Sequence, residues 1–322
     1  MRTKKPPKNQ SQSQPLRIEF PQYASFGTSR TVRSALWFVN NNKLENYALG
    51  HLARLQEKYE MPLYAMVFFG SHYHLLNQFP KCNRSAFYRD FNSRLAWGVR
   101  SYVPNFPGGQ LFARRYSEQV VPNNIDIENQ FFYCALQAVS AGLCEYIEDY
   151  SGYNSFFDAI NGIDREFKVV DWSGYLAHKR YNDEITVEDY TTTYHLKYKR
   201  LPGYEHLSQK EYRDLMLQKL EERRIRIVQD LKDKGHVFPS SQALKKVKPG
   251  TLAKNPKVSK RYDYRPLILT SCALTKKVFL AEYFSKYAAY KPACRKYLAG
   301  DHKVQFPPGT YKPPGPFVPY PA

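Results

Sequence analysis

LYAMVFFGSHYHLL, residues 63–76, decides the fold of this chain. Apolar runs flank Gly70-Ser71, a pair suited to a two-residue hairpin turn, so the stretch predicts two antiparallel strands. His72 and His74 stand two apart at the start of the second strand. Side chains alternate faces along a strand, so both imidazoles emerge on the same side. Such a pair suits one divalent metal ion, although two half-exposed histidines without a ligand would read the same way. A second stretch shifts the balance. In residues 126–146, DIENQFFYCALQAVSAGLCEY, Tyr133 and Gln137 are four apart and predict a shared helical face. A tyrosine hydroxyl and an amide oxygen there complete what the two histidines begin. Asp126 suits the start of that helix and Gly142 a left-handed stop at its end.

Working outward, residues 16–20 and 28–38 read as strands, with Arg30 and Arg33 flanking the second as candidate phosphate contacts. Residues 44–59 are an amphipathic helix with Leu44, Ala48, Leu52 and Leu55 on one side. His51 shares that side and reads as a core histidine rather than a ligand. Ser85 suits the cap of a helix running to about residue 102. Residues 111–121 read as a strand whose Arg114-Arg115-Tyr116 pairs two guanidinium groups with an aromatic ring. Strand, helix, hairpin, helix, strand, helix predicts an α+β fold: a mainly antiparallel sheet with helices packed on one face.

Beyond about residue 158 the texture changes. Residues 165–205 are rich in tyrosine and charge with little periodicity, and 207–232 predict a long charged helix carrying Arg223, Arg224 and Arg226. Residues 245–265 hold a dense run of Lys and Arg suggestive of a binding arm, 274–298 predict a last helix, and the tail from Phe306 is Pro-rich. The expected organisation is a disordered basic tail over 1–15, a first domain over 16–157, and a basic, largely helical C-terminal extension over 158–322.

The 48 Lys and Arg against 29 Asp and Glu give a net charge of +19, which favours polyanionic partners. The 27 tyrosines add ring surfaces on which unpaired bases can stack. Five cysteines, odd in number and with no Cys-X-X-Cys pair, argue against a disulfide framework or a zinc knuckle. No apolar run reaches the roughly 18 residues of a membrane helix, and the charged N-terminus has no apolar segment behind it. A cytoplasmic protein is expected, nucleoid-associated when bound to DNA.

With these residues in place, the chain resembles the single-tyrosine HUH transposases, and within them the bacterial REP-associated tyrosine transposases, relatives of the single-strand insertion-sequence transposases. In that branch the strand typically reads Met-Pro-Asn-His-hydrophobic-His, and the helix Tyr-Ile-His-Leu-Asn-Pro-Val-Arg-Ala-Gly-Leu. The counterparts here are FGSHYH at 69–74 and YCALQAVSAGL at 133–143. FARRY at 112–116 and DYSGYNS at 149–155 match further pieces. The likeness covers about residues 28–157, and a looser one extends to FPPGTY at 306–311. Two departures stand out: Ser71 replaces the Asn before the first histidine, and Gln137-Ala138 replaces Asn-Pro.

The resemblance implies a ferredoxin-like HUH domain that cleaves single-stranded DNA at hairpin-forming repeats and transfers the strand. Tyr133 would be the nucleophile, forming a 5′-phosphotyrosine, and His72, His74 and Gln137 would hold Mg²⁺ or Mn²⁺. Arg30, Arg33, Arg114 and Arg115 are the candidate DNA contacts, joined on charge alone by Arg223 and Arg224 on the hairpin stem. No nucleotide cofactor is implied, and the relatives are monomers or homodimers. Two competing readings are a protein that holds DNA hairpins without cutting and an RNA-binding protein with an unrelated histidine pair. Replication initiators and relaxases share the His-X-His chemistry but carry more histidines or an N-terminal tyrosine, which this sequence does not present.

Overall fold

The computed structural model describes residues 16–253 and 266–314. The expected hairpin is there. Strand β2 (Leu63–Phe69) turns at Gly70-Ser71 into β3 (His72–Gln78), with Phe69 opposite His72. Ahead of them come β1 (Ala24–Arg30) and α1 (Asn42–Tyr59), and after them α2 (Arg84–Tyr102) and β4 (Ser117–Val121). The sheet order is β2-β3-β1-β4, every named pair antiparallel. This is the β-α-β-β-α-β ferredoxin-like arrangement, an α+β fold. Helices α1 and α2 cover one face; α3 (Asn124–Ala135) packs on the other, against β2 and β3.

Alternation sorts the side chains of β3. Tyr73 faces α2, its ring 5.2 Å from Phe91 and its hydroxyl donating to Asn92 Oδ1 at 2.6 Å. His72 and His74 face α3. In β1, Gly27 is required by a close approach, since a Cβ there would lie 1.7 Å from the Tyr88 hydroxyl.

The strands at the sheet's flanks differ from the sequence expectation. Residues 16–20 are not a strand; Ile18 and Phe20 are buried against Phe279 and Tyr283 of the last helix in a second, smaller core. β1 therefore begins at Ala24 and ends at Arg30, where a 3₁₀ turn (Val32–Ser34) interrupts the run expected through residue 38. The expected 111–121 strand is also broken. Residues 112 and 113 pair with the chain at Arg30 and Thr31, residues 114–116 bulge outward, and regular pairing resumes at Ser117. Tyr116 anchors the bulge, stacked 4.0 Å from Tyr88 beneath the Arg17 guanidinium.

Helix α2 is capped neither by Ser85 nor by the side chain at Asn83. The carboxylate of Glu19, brought from the N-terminal segment, accepts from the Arg84 and Ser85 backbone N–H groups at 3.1 and 3.2 Å. Helix α3 is capped by Asn123, whose side chain accepts from the backbone N–H of Asp126, rather than by Asp126.

After α3 follow α4 (Gln137–Ser140) and α5 (Phe156–Asn161), and then two strands the sequence did not announce. β5 (Arg165–Val170) and β6 (Thr191–Leu196) form a separate antiparallel pair on α1. Between them lies α6 (Trp172–Lys179). The long helix α7 (Gln209–Asp233) starts with a capping box from Ser208 and Glu211. A short α8 (Ser241–Lys245) and the final α9 (Ala273–Leu298) complete the helices. Buried Leu196, Leu201, Tyr212, Met216 and Val228 join the same core as the sheet, so residues on both sides of position 157 share one interior. The expected tail over 1–15, most of the basic arm at 254–265 and the end of the Pro-rich tail lie outside the described residues.

Candidate active site

The site is built where α3 crosses the sheet. In β1, Thr28 pairs with His74 and Arg30 with His72, so these four side chains share one face. The Nδ1 atom of His74 is 2.6 Å from Thr28 Oγ1, and that of His72 is 3.1 Å from Ser71 Oγ. Ser71 thus supplies the hydrogen-bond partner in the place where the resembling family has Asn. When each Nδ1–H donates to its hydroxyl, Nε2 is left as the lone-pair end, and both Nε2 atoms point at one group. That group is the Gln137 amide, 3.1 Å from His72 Nε2 and 2.7 Å from His74 Nε2.

Burial, reinforced by the nearby Arg30 charge, pushes the His72 pKa down to about 3. It holds His74 well below the ordinary value, with His72 and Arg30 adding to the effect. Both rings are therefore neutral donors at any physiological pH. The other end of the amide, Gln137 Oε1, is buried without a hydrogen-bond partner among the described residues. The two ends of an amide exchange by a half-turn, so this position delivers either a donor or an oxygen ligand. Adjacent ligands on an ion with bonds of about 2.1 Å lie about 3 Å apart, which is the spacing seen here. With the amide turned so that its oxygen takes the place of its Nε2, two neutral nitrogens and that oxygen would fit a divalent cation. Among the described residues no cluster of three His, Cys, Asp or Glu side chains offers another such place.

Tyr133 stands beside this trio, its ring edge-on to His74 at 5.9 Å and to Phe26 at 5.6 Å, and 47% exposed. Partial burial raises its pKa, with the Cys134 thiol adding and the Arg30 charge opposing. The phenol is thus protonated at neutral pH. Tyr133 and Gln137 do not lie on one continuous helix as the spacing predicted. The helix breaks at Leu136 (φ −93°, ψ 8°), and Gln137 opens α4. The break turns the Gln137 side chain toward β3, while Tyr133 stays at the cleft mouth. The predicted stop at Gly142 is present, with φ +69° and Leu143 N–H donating to Ala138 O.

Tyr133 and His74 open into a cleft of about 830 Å³. Arg30, Arg33, Arg114 and Arg115 all line it, brought together by the broken 111–121 run and the 3₁₀ turn after β1. Arg33 and Ser34, both on the rim, have φ of 55° and 52°. Left-handed non-glycine residues cost roughly 1 kcal/mol each or more and concentrate at functional sites.

Arg223 and Arg224 do not line this cleft. Arg223 lies over the Phe132 ring at 4.1 Å and donates to Glu128 at 3.2 Å. Arg224 is held by Glu221 and donates to the Glu145 carbonyl at 3.2 Å. Both tie α7 to the tyrosine helix and the loop after it. Sequence reading passed over Thr28, Phe26, Gln119 and Gln130, which also line the cleft. For Gln130 the signal was there, since it precedes Tyr133 by three on one helix; Gln119 shares a face of β4 with Ser117, but only the sheet order brings that face to the cleft.

No family model matches the chain, and no curated protein matches it in sequence. Among solved structures, it is similar to a REP-associated tyrosine transposase bound to a REP hairpin, at 15% identity and a TM-score of 0.39. That likeness covers 45% of this chain and 83% of the other. It is also similar to the tRNA(His) guanylyltransferase of Saccharomyces cerevisiae, at 12% identity and a TM-score of 0.32, over 40% of this chain and 63% of that one.

Proposed function

We propose that this protein is a metal-dependent single-stranded DNA endonuclease and strand-transferase acting at hairpin-forming repeats. The observation that carries the reading is the meeting of His72, His74 and Gln137 on one amide, with Tyr133 in ring contact at the mouth of an arginine-lined cleft. Arg30, Arg33, Arg114 and Arg115 would draw in the phosphates and hold the strand against Tyr133. The Tyr133 hydroxyl oxygen attacks phosphorus, forming an O–P bond while the bond to the 3′ oxygen breaks. The phenolic proton passes to water and the departing 3′ oxygen takes one up. The products are a 5′-phosphotyrosine and a free 3′ hydroxyl. Arg30 favours the phenolate as that proton leaves. His72, His74 and Gln137 would hold a divalent cation, which would supply charge stabilisation for the scissile phosphate. The linkage energy is conserved in the phosphotyrosine, so another 3′ hydroxyl can reseal the strand without ATP.

The test is incubation with Mn²⁺ or Mg²⁺ and labelled hairpin oligonucleotides carrying a single-stranded foot, read on a denaturing gel. A covalent protein–DNA band is expected, lost in Tyr133→Phe and in chelator. Tight hairpin binding by both proteins without any adduct would instead favour a hairpin-holding protein, and a preference for ribose-bearing strands an RNA-binding one.

A further inference from the structure

The cleft is chemically two-sided. Arg30, Arg33, Arg114 and Arg115 supply cations, whereas two amides, Gln119 from β4 and Gln130 from α3, enter beside Tyr133. Gln119 faces the cleft because it pairs with Phe26, on the same side of the sheet as Thr28 and His74. Both amides are half-buried and neither has a hydrogen-bond partner among the described residues. Phe26 and Leu269 add apolar surface to the same cavity. Neither amide is among the fully buried polar groups left without a partner, so each stays open to the water of the cleft and able to exchange it for a ligand. Two of them flanking one cavity are a complement awaiting a polar, planar ligand.

Resting on the nuclease reading above, we propose that Gln119 and Gln130 form a base-reading pair selective for adenine in the strand that enters the cleft. Each amide offers one acceptor and one donor side by side. Adenine matches such a group on both of its edges, because its N6 amino group has two hydrogens and lies between acceptors N1 and N7. One amide oxygen takes one N6 hydrogen while its nitrogen donates to N7; the other does the same at the opposite edge with N1. Cytosine has an acceptor on only one side of its amino group. Guanine presents two acceptors on its N7 edge, and thymine a single N–H between two carbonyls. A single-stranded base exposes both edges, whereas in a duplex the N1 edge is occupied. The arginines contact phosphate and read no sequence; the amides supply the reading.

The test measures binding by the Tyr133→Phe protein, so its outcome does not depend on whether the wild type cleaves. The probes are labelled thymidine decamers carrying one central dA, dC, dG or abasic site, followed by fluorescence anisotropy. The dA decamer is expected to bind on the order of tenfold more tightly than the others. Adding Gln119→Ala or Gln130→Ala removes most of that preference while leaving the affinity for the abasic decamer unchanged. Gln130→Glu keeps the shape and acceptors but removes the donor, and is expected to lose the preference too. Unfolding midpoints of the variants matching the parent's exclude misfolding as the cause. Equal affinity for all four decamers, or an adenine preference that survives both alanine substitutions, would overturn the proposal.

Discussion

Tyr133 and the atoms it meets explain why the site needs three kinds of residue. A partly buried phenol whose pKa is raised is a poor nucleophile by itself, so in the proposed cleavage its reactivity would have to come from neighbouring charge. Replacing His72 or His74 by Ala is expected to lower adduct formation at least a hundredfold while hairpin binding, followed by gel shift, is retained. Thr28→Val removes only the partner of His74 Nδ1. It should raise the Mn²⁺ concentration for half-maximal cleavage by about 10–100-fold, and excess metal should restore the rate. His51 illustrates the opposite use of the same side chain. It is 5% exposed, packed 4.4 Å from the Tyr47 ring, and burial first, then Arg94 and Arg54, holds its pKa down to about 4. A group with a depressed folded pKa binds fewer protons folded than unfolded. Its share of stability is therefore present above about pH 6.5 and is lost as pH falls through about 4, amounting to about 3 kcal/mol. Urea unfolding across that window should show a shallower loss for His51→Leu than for the parent.

Among the elements, α7 acts as a brace behind the tyrosine helix. Glu128 on α3 accepts from Lys219 at 2.9 and 3.0 Å and from Arg223 at 3.2 Å, with the Tyr204 hydroxyl on the same carboxylate. Further along, His236 Nε2 lies 2.8 Å from the Gly142 carbonyl, and Lys232 pairs with Glu145 at 2.9 Å. Glu128→Ala strands two half-buried cations and should lower stability by about 1–3 kcal/mol in urea titration. Cleavage should slow more than hairpin binding weakens, because α3 carries Tyr133, the proposed nucleophile. The brace was hidden in the sequence, where Arg223 and Arg224 read on charge alone as DNA contacts; Glu128 and Glu145, which they reach, lie far off in the chain. The hairpin was legible because Gly70-Ser71 separates two apolar runs, and α1 because its apolar residues keep a helical period. The break at Leu136 was not, since Ala135, Leu136 and Gln137 are all good helix formers. β5 and β6 escaped for another reason. Phe167 and Val169 of β5 pack on α1 at Gly50, and the charged residues between and before them mask the alternation. The same non-locality hid Gln119 and Thr28, which reach the cleft only because β1 lies between β3 and β4.

Over the whole molecule, charge and edge closure decide behaviour. With a net charge of +19, binding to single strands should weaken steeply with salt. Replacing Arg114 or Arg115 by Ala should each reduce the slope of log affinity against log salt by about 0.7, measured by anisotropy between low and physiological salt. Among the described residues no helix is long and apolar enough to cross a membrane. Both outer edges of the four-stranded sheet are taken up by later parts of the chain. Along β2, Phe68 N–H donates to Tyr153 O, Ser155 N–H to Met66 O and Lys199 N–H to Leu63 O. Along β4, Val120 exchanges hydrogen bonds with Leu267 and Leu269 through a parallel bridge at Ile268. The second closure has a consequence for biosynthesis. A ribosome adding roughly 5–20 residues per second delivers the residues that seal β4 on the order of ten seconds after β4 itself. During that interval the nascent sheet presents an open, adhesive border to other nascent chains.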